Sequence, residues 1–134
     1  PAVYLKRAKE LLPNDADGWF AAGREAFDRG DHPAAWADWR HALDIDLRHL
    51  KEIVGLAGRV LSADAVRERV VPATPSRVMA AADVLFPDRL RQAAGRRRFA
   101  EVAAGLPAAS PDDLCSVAEA LGELDRPDEA FVAW

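Results

Sequence analysis

Apolar residues recur along the chain every three or four positions, the spacing of one face of an α-helix. Such a stripe covers residues 2–12, and the pattern predicts further helices over 16–29 and from Pro33 onward. Gly30 suits the left-handed backbone that ends a helix, and Asp31 is placed to cap the helix that follows it. The pattern therefore predicts short helices joined by tight turns.

The second half of the chain continues this pattern. A helix is predicted over 50–61, and Ser62 is placed to cap another over 63–71. Thr74 and Ser110 are each predicted to cap a helix, and the proline that follows each of them favours the first helical turn. No sustained alternation of period two predicts a strand, so the fold class is all-α. The apolar faces predicted in this half are Val78, Ala81, Ala82 and Leu85; Leu90, Ala94, Phe99, Val102 and Ala103; and Leu114, Val117, Ala118 and Leu121.

The chain also repeats itself with a period of 34 residues. Leu5, Ala8 and Pro13 are followed 34 residues later by Trp39, Ala42 and Leu47, which stand at the corresponding repeat positions. Between them stand Trp19-x-x-Ala22-Gly23, Gly30-Asp31, Ala35, Trp39, Ala42-Leu43 and Asp46, which resemble one complete tetratricopeptide (TPR) repeat. The resemblance implies a TPR-like α-solenoid, in which antiparallel helix pairs wind into a right-handed superhelix. It also implies that Gly23 and Ala35 are small because the two helices of the repeat cross there.

The resemblance divides the chain as one TPR-like domain that is truncated at both ends, and we expect it to be a fragment of a larger protein. The expected units are a partial repeat at 1–13, a full repeat at 14–46, degenerate repeats at 47–72 and 73–107, and a partial repeat at 108–134. The degenerate middle contains an x-Val-Val-Pro segment and a later Ala-Ala-Ala-x-Val-Leu-Phe segment. With clear repeats around it, this pattern also resembles the TPR tails of bacterial polysaccharide polymerases and ligases.

Composition limits the classes of function. The 134 residues include 22 acidic and 18 Lys or Arg residues, a net charge of -4, which gives no overall attraction for nucleic acid. No apolar run approaches the roughly 20 residues that span a bilayer, so direct membrane insertion is not expected. The single cysteine, Cys115, excludes an internal disulfide and is compatible with every compartment, which leaves localisation open.

Candidate chemistry is sparse. His32, His41 and His49 have no neighbours at a recurring metal-ligand spacing, and we interpret them as surface residues. Cys115 has no histidine near it in sequence, and no serine stands in a Gly-x-Ser-x-Gly motif. We therefore predict no catalytic residue, no metal site and no cofactor, and expect a protein that is not an enzyme.

The TPR resemblance implies a recognition surface on the first helix of the full repeat. Its groove-facing positions are occupied here by Asp17, Phe20, Arg24 and Phe27. Phe27 has an alternative interpretation, because it can fill space left by the small Ala26. A chaperone-tail carboxylate clamp is not expected, since no lysine or asparagine stands at a matching position.

Two further features are candidate interfaces. Trp36 precedes Trp39 by three residues and either packs in the core or contacts another repeat or chain. Arg96, Arg97 and Arg98 are the centre of a basic concentration that also includes Arg89 and Arg91. We interpret this run first as a solvated face. The alternatives are a docking site for phosphate, an anionic lipid or an acidic protein segment, and, least favoured, a contact with nucleic acid.

The expected function is a protein–protein interaction module that binds a peptide or partner domain in a concave groove. The alternative is an architectural spacer or self-association arm of a larger bacterial membrane-associated glycan-assembly protein. The alternative predicts self-association through the truncated repeat ends, because a solenoid buries each unit against its neighbour.

Overall fold

The computed structural model describes residues 15–125, which form seven α-helices and contain no strand. The all-α prediction is therefore confirmed for this part of the chain, whereas the predictions for residues 1–13 and 126–134 lie outside the described residues. No helix within 15–125 has the length and apolar character needed to cross a membrane. The helices are α1 (Ala16–Asp28), α2 (His32–Ile45), α3 (Leu50–Ala57), α4 (Ala63–Arg69), α5 (Pro75–Leu85), α6 (Ala93–Gly105) and α7 (Pro111–Asp125).

The chain divides into two compact units between Pro72 and Ala73. In the first unit, α1 and α2 form an antiparallel hairpin whose turn follows the predicted signals. Gly30 has a φ of +84°, the left-handed conformation that glycine adopts without a steric penalty. The carboxylate of Asp31 accepts a hydrogen bond from the Ala34 N–H at 3.4 Å, which confirms the predicted cap.

The two helices of the hairpin cross closely at Gly23. A Cβ atom at this position would overlap with the indole ring of Trp39, which is fully buried. The indole Nε1–H of Trp39 donates a hydrogen bond of 3.2 Å to the backbone carbonyl of Phe20. Ala35 is also fully buried. The prediction that Gly23 is small because the helices cross there is confirmed.

After α2 the chain turns at Asp46, not at a proline. The Asp46 backbone is extended, and its side chain accepts a hydrogen bond of 3.0 Å from the Arg48 N–H, which stabilises the turn into α3. The helix predicted over 50–61 ends earlier, at Ala57. Ser62 caps α4 as predicted, since its hydroxyl oxygen accepts from the Ala65 N–H at 3.2 Å.

The second unit consists of α5, α6 and α7. Val78, Ala81 and Ala82 are buried, as the sequence predicts for α5. Gly95 of α6 lies against the ring of Phe86, with which a Cβ atom would overlap. Phe86 also makes an edge-to-face contact with Phe99, with ring centroids 5.2 Å apart.

Five predicted core positions in this unit are wrong, because Ala94 and Ala118 are exposed in addition to three leucines. Leu90 is 72% exposed because it precedes α6 instead of lying on its inner face. Leu114 and Leu121 of α7 are 63% and 50% exposed, whereas Asp113 and Ala120 point inward. Apolar spacing identified α7 as a helix but did not identify its buried face, because small and polar residues occupy part of that face.

Candidate functional site

The α1 face (Asp17, Phe20, Arg24 and Phe27) was the recognition surface expected from sequence. Asp17 is exposed, and its Oδ1 accepts a hydrogen bond from His49 Nε2 at 2.6 Å. Its Oδ2 lies 3.3 Å from the Arg48 guanidinium. The hydrogen bond from His49, together with the charge of Arg48, lowers the pKa of Asp17 below its ordinary value. The carboxylate is therefore already paired within its own unit.

The two phenylalanines of this face are half-buried. Phe20 stacks in parallel on His49, with ring centroids 4.2 Å apart and planes 4° apart. Phe27 packs against Trp39 and Trp36 at centroid distances of 5.4 Å and 6.0 Å. These contacts favour the interpretation in which Phe27 fills space in the hairpin.

Arg24 is the remaining member of the α1 face and is exposed over 51% of its side chain. Its Nε–H donates to Asp28 Oδ1 at 3.4 Å, one helical turn further along α1. Exposed pairs of this kind contribute little to stability, and the guanidinium stays available to a partner. Asp17 and Arg24 are thus the two members of the face with largely exposed side chains.

Trp36 occupies a different surface of the first unit. It is 6% exposed and packs against Trp39 at a centroid distance of 5.7 Å and against His32 at 5.5 Å. Part of its surface also lines an open cavity of about 580 Å³, here called the Trp36 groove. The residues that line the groove are His32, Pro33, Trp36, Ala37, Arg40, Val60, Leu61 and Arg69.

The groove combines apolar walls with cationic groups. Val60, in the turn after α3, is 47% exposed and contributes an aliphatic wall. Arg40 is half-buried and donates a hydrogen bond of 3.1 Å from Nη1 to the backbone carbonyl of Glu68. Arg69, the last residue of α4, is exposed. Such a mixture of apolar area and a few convergent polar groups is typical of binding sites.

Sequence reasoning named Trp36 but missed the rest of the groove. His32, Trp36 and Arg40 are spaced by four residues and therefore share one face of α2. This part of the groove was predictable from the sequence. Val60 and Arg69 stand more than 20 residues from Trp36 and reach the groove only through the turn between α3 and α4. No local pattern indicates that approach.

The arginine run does not form one surface. Arg96 is 1% exposed and donates to Asp83 at 3.0 Å, to Glu123 at 3.0 Å and to the Phe86 carbonyl at 3.2 Å. Burial alone lowers the pKa of this guanidinium, but the bonds to the two carboxylates outweigh burial and raise it. Arg97 is half-buried and Arg98 exposed. Arg96 is therefore neither part of a solvated face nor a docking site, because its guanidinium is buried and paired with the carboxylates of Asp83 and Glu123.

The remaining candidate residues lie apart. His41 is exposed and contacts the ring of Trp19 at a centroid distance of 4.0 Å, whereas His32 and His49 are half-buried against aromatic rings. Cys115 is an exposed free thiol. Within residues 15–125 no three His, Cys, Asp or Glu side chains are grouped so that they could hold a metal ion. The Trp36 groove is thus the best candidate site in the first unit.

Comparison of the chain with protein-family models, with curated proteins and with solved structures finds no match.

Proposed function

We propose that this chain is a protein–protein interaction module that binds an extended peptide segment of a partner in the Trp36 groove. The observation that carries the proposal is the groove itself, an open cavity of about 580 Å³ with apolar walls and two arginines at its edge. Aromatic and arginine side chains supply most of the energy in protein interfaces. The TPR-like repeat at 14–46 supports the same class of function, since TPR solenoids are interaction scaffolds.

The groove is a better binding surface than the α1 face. On the α1 face, Asp17 is paired with His49 and Arg48, and Phe20 is covered by the His49 ring. A peptide that binds there has to displace contacts that the unit already makes. Val60 and Arg69 at the groove are exposed, so a peptide gains their contacts without that cost.

The test is a selection from a random twelve-residue peptide library on the immobilised 134-residue chain. Affinities of the selected peptides are then measured for the wild type and for three variants. Val60→Asp places a charge on the groove wall and is expected to abolish binding. Arg24→Glu tests the α1 face, and Leu90→Asp is a matched control because Leu90 is exposed in the second unit.

Each outcome decides between surfaces. Loss of binding in Val60→Asp alone supports the groove. Loss in Arg24→Glu with full affinity in Val60→Asp moves the binding surface to the α1 face. A selection that enriches no peptide contradicts the proposed function.

A self-association arm is the second candidate function, and one observation favours it. Leu114, Ala118 and Leu121 share one exposed face of α7, here called the α7 stripe. Apolar residues in line on a helix surface are typical of a contact with another helix. If this function is correct, size-exclusion chromatography with light scattering gives a dimer, and the double variant Leu114→Lys, Leu121→Lys gives a monomer. A monomeric wild type contradicts it.

A further inference from the structure

The charge of the Trp36 groove is opposite to that of the whole chain. The chain has 22 acidic against 18 Lys or Arg residues, yet Arg40 and Arg69 line the groove and no carboxylate of residues 15–125 does. A concave surface that collects one sign of charge next to apolar walls concentrates the potential there. The net charge of the chain repels negatively charged groups. The local charge of the groove attracts them.

Within residues 15–125, neither of the two guanidinium groups forms an ion pair with a carboxylate. Arg40 donates to the backbone carbonyl of Glu68, which fixes its position but leaves its formal charge uncompensated. A guanidinium has five N–H donors, and this bond uses one of them. Arg69 has no carboxylate partner among residues 15–125. Both side chains can therefore bind an incoming carboxylate, to which the planar guanidinium is well matched.

The walls between the charges require an apolar group in the ligand. Trp36, Val60 and Leu61 supply an indole edge and two aliphatic side chains. A simple anion leaves these surfaces in contact with water, whereas a large apolar side chain covers them. A cationic ligand is disfavoured by the two arginines, even though the aromatic ring alone would accept one.

We propose that the Trp36 groove recognises an acidic segment of a partner protein in which a large apolar side chain lies next to Asp or Glu residues. The apolar side chain packs on Trp36 and Val60, and the carboxylates bind Arg40 and Arg69. This inference rests on the proposed function and specifies the class of peptide that the module binds.

The peptide library described above tests the inference through the composition of the selected sequences. We expect enrichment of Asp or Glu beside Leu, Ile, Phe or Trp. The consensus peptide is then synthesised with a twin in which every acidic residue is replaced by lysine. The acidic peptide is expected to bind at least about tenfold more tightly than its lysine twin, the order of effect of one charged hydrogen bond.

Charge reversal at the groove provides the second readout. Arg69→Glu is expected to lower the affinity for the acidic peptide by about tenfold or more and to raise the affinity for its lysine twin. Arg91→Glu makes the same change of charge at a side chain that is 89% exposed in the second unit, and it is expected to leave both affinities within about twofold. Circular dichroism confirms that both variants keep the wild-type helicity.

The outcomes separate the inference from the proposed function. A basic or uncharged consensus whose binding is still lost in Val60→Asp overturns the inference and leaves the interaction function in place. An acidic consensus whose affinity is equal in Arg69→Glu and Arg91→Glu also overturns it, because the charge then acts from a distance and not at the groove. A selection without any enriched peptide overturns both.

Discussion

The carboxylate of Asp113 accepts a hydrogen bond of 3.1 Å from the backbone N–H of Ser76, and this bond joins the N-terminal ends of α7 and α5. The other oxygen of the same carboxylate accepts from the Ala109 N–H at 3.0 Å, and the Asp113 N–H donates to the Ser110 hydroxyl at 3.1 Å. The Ser110 hydroxyl thus caps α7, while the Asp113 carboxylate reaches back to the N–H of the residue before Ser110. One side chain therefore supports the first turns of two helices.

This arrangement explains why Thr74 does not cap α5. Thr74 stands at the N-cap position, but its hydroxyl makes no cap hydrogen bond. The first N–H groups of a helix have no partner within the helix. Asp113 satisfies one of them from 37 residues away. The cap that the sequence predicted at Thr74 is therefore supplied by another helix.

Replacement of Asp113 tests this double role. Asp113→Ala is expected to lower the free energy of unfolding by about 1–3 kcal/mol, because the Ser76 and Ala109 N–H groups lose their acceptor in a poorly hydrated place. Asp112→Ala is the matched control, since Asp112 is exposed in the same turn. Urea unfolding followed by circular dichroism measures both. Equal losses in the two variants would mean that the bonds from Asp113 add nothing beyond the helix dipole.

Low pH is expected to remove the contribution of Asp113 to the free energy of unfolding. The hydrogen bond from the Ser76 side chain, supported by those from the Ala109 and Ser76 backbone N–H groups and from the Ser110 side chain, outweighs burial and lowers the pKa of Asp113 below its ordinary value of 3.8. A carboxyl group with a lowered folded-state pKa stabilises the fold above its unfolded-state pKa, and this contribution is lost as the pH falls through the folded-state value.

The stability difference between wild type and Asp113→Asn is therefore expected to be constant from pH 7 to about pH 5 and to shrink below about pH 4. The comparison isolates Asp113, because other titrating groups are shared by both proteins. Urea unfolding at a series of pH values measures it. A difference that grows on acidification would contradict the assignment.

The crossing of α1 and α2 gives a steric prediction. Gly23→Ala places a methyl group in the space of the Trp39 ring, and the free energy of unfolding is expected to fall by about 1–3 kcal/mol as the helices move apart. Gly55→Ala is the matched control, because no atom lies within 4 Å of a Cβ there. The free energy of unfolding of that variant is expected to rise by about 0.5–1 kcal/mol, because alanine lowers the backbone entropy of the unfolded chain. Thermal unfolding that shifts both variants in the same direction would contradict the close crossing.

The buried guanidinium of Arg96 gives a prediction for the second unit. Arg96→Met fills similar space but removes the buried cation that Asp83 and Glu123 share, and the free energy of unfolding is expected to fall by about 3 kcal/mol, although Arg89 still lies 3.5 Å from Glu123. This figure is at the low end for a broken buried pair, because Asp83 is 53% exposed. Arg98→Ala, at an exposed position, is expected to change stability by no more than about 0.5 kcal/mol. If the two variants lose equal stability, Arg96 is not the cation that holds this cluster together.

The beginnings and ends of several helices were predictable from sequence. Gly30 and Asp31 end α1 and start α2, and Ser62 starts α4, as predicted. These features depend on hydrogen bonds between residues that are three or four positions apart, and on the backbone freedom of one glycine. The close approach at Gly23 was also predicted, as an implication of the resemblance to a TPR repeat.

Burial and the candidate site were decided by the tertiary structure. Arg96 looked like part of an exposed run, yet it is buried because carboxylates 13 and 27 residues away in sequence, Asp83 and Glu123, surround it. Leu114 looked like a core residue, yet it is exposed because Asp113 turns inward to cap α5. The Trp36 groove is bounded by α2, the turn after α3 and the end of α4. Local spacing specifies which residues share a helix face, but the free energy of burying that face depends on partners that only the packing of distant helices provides.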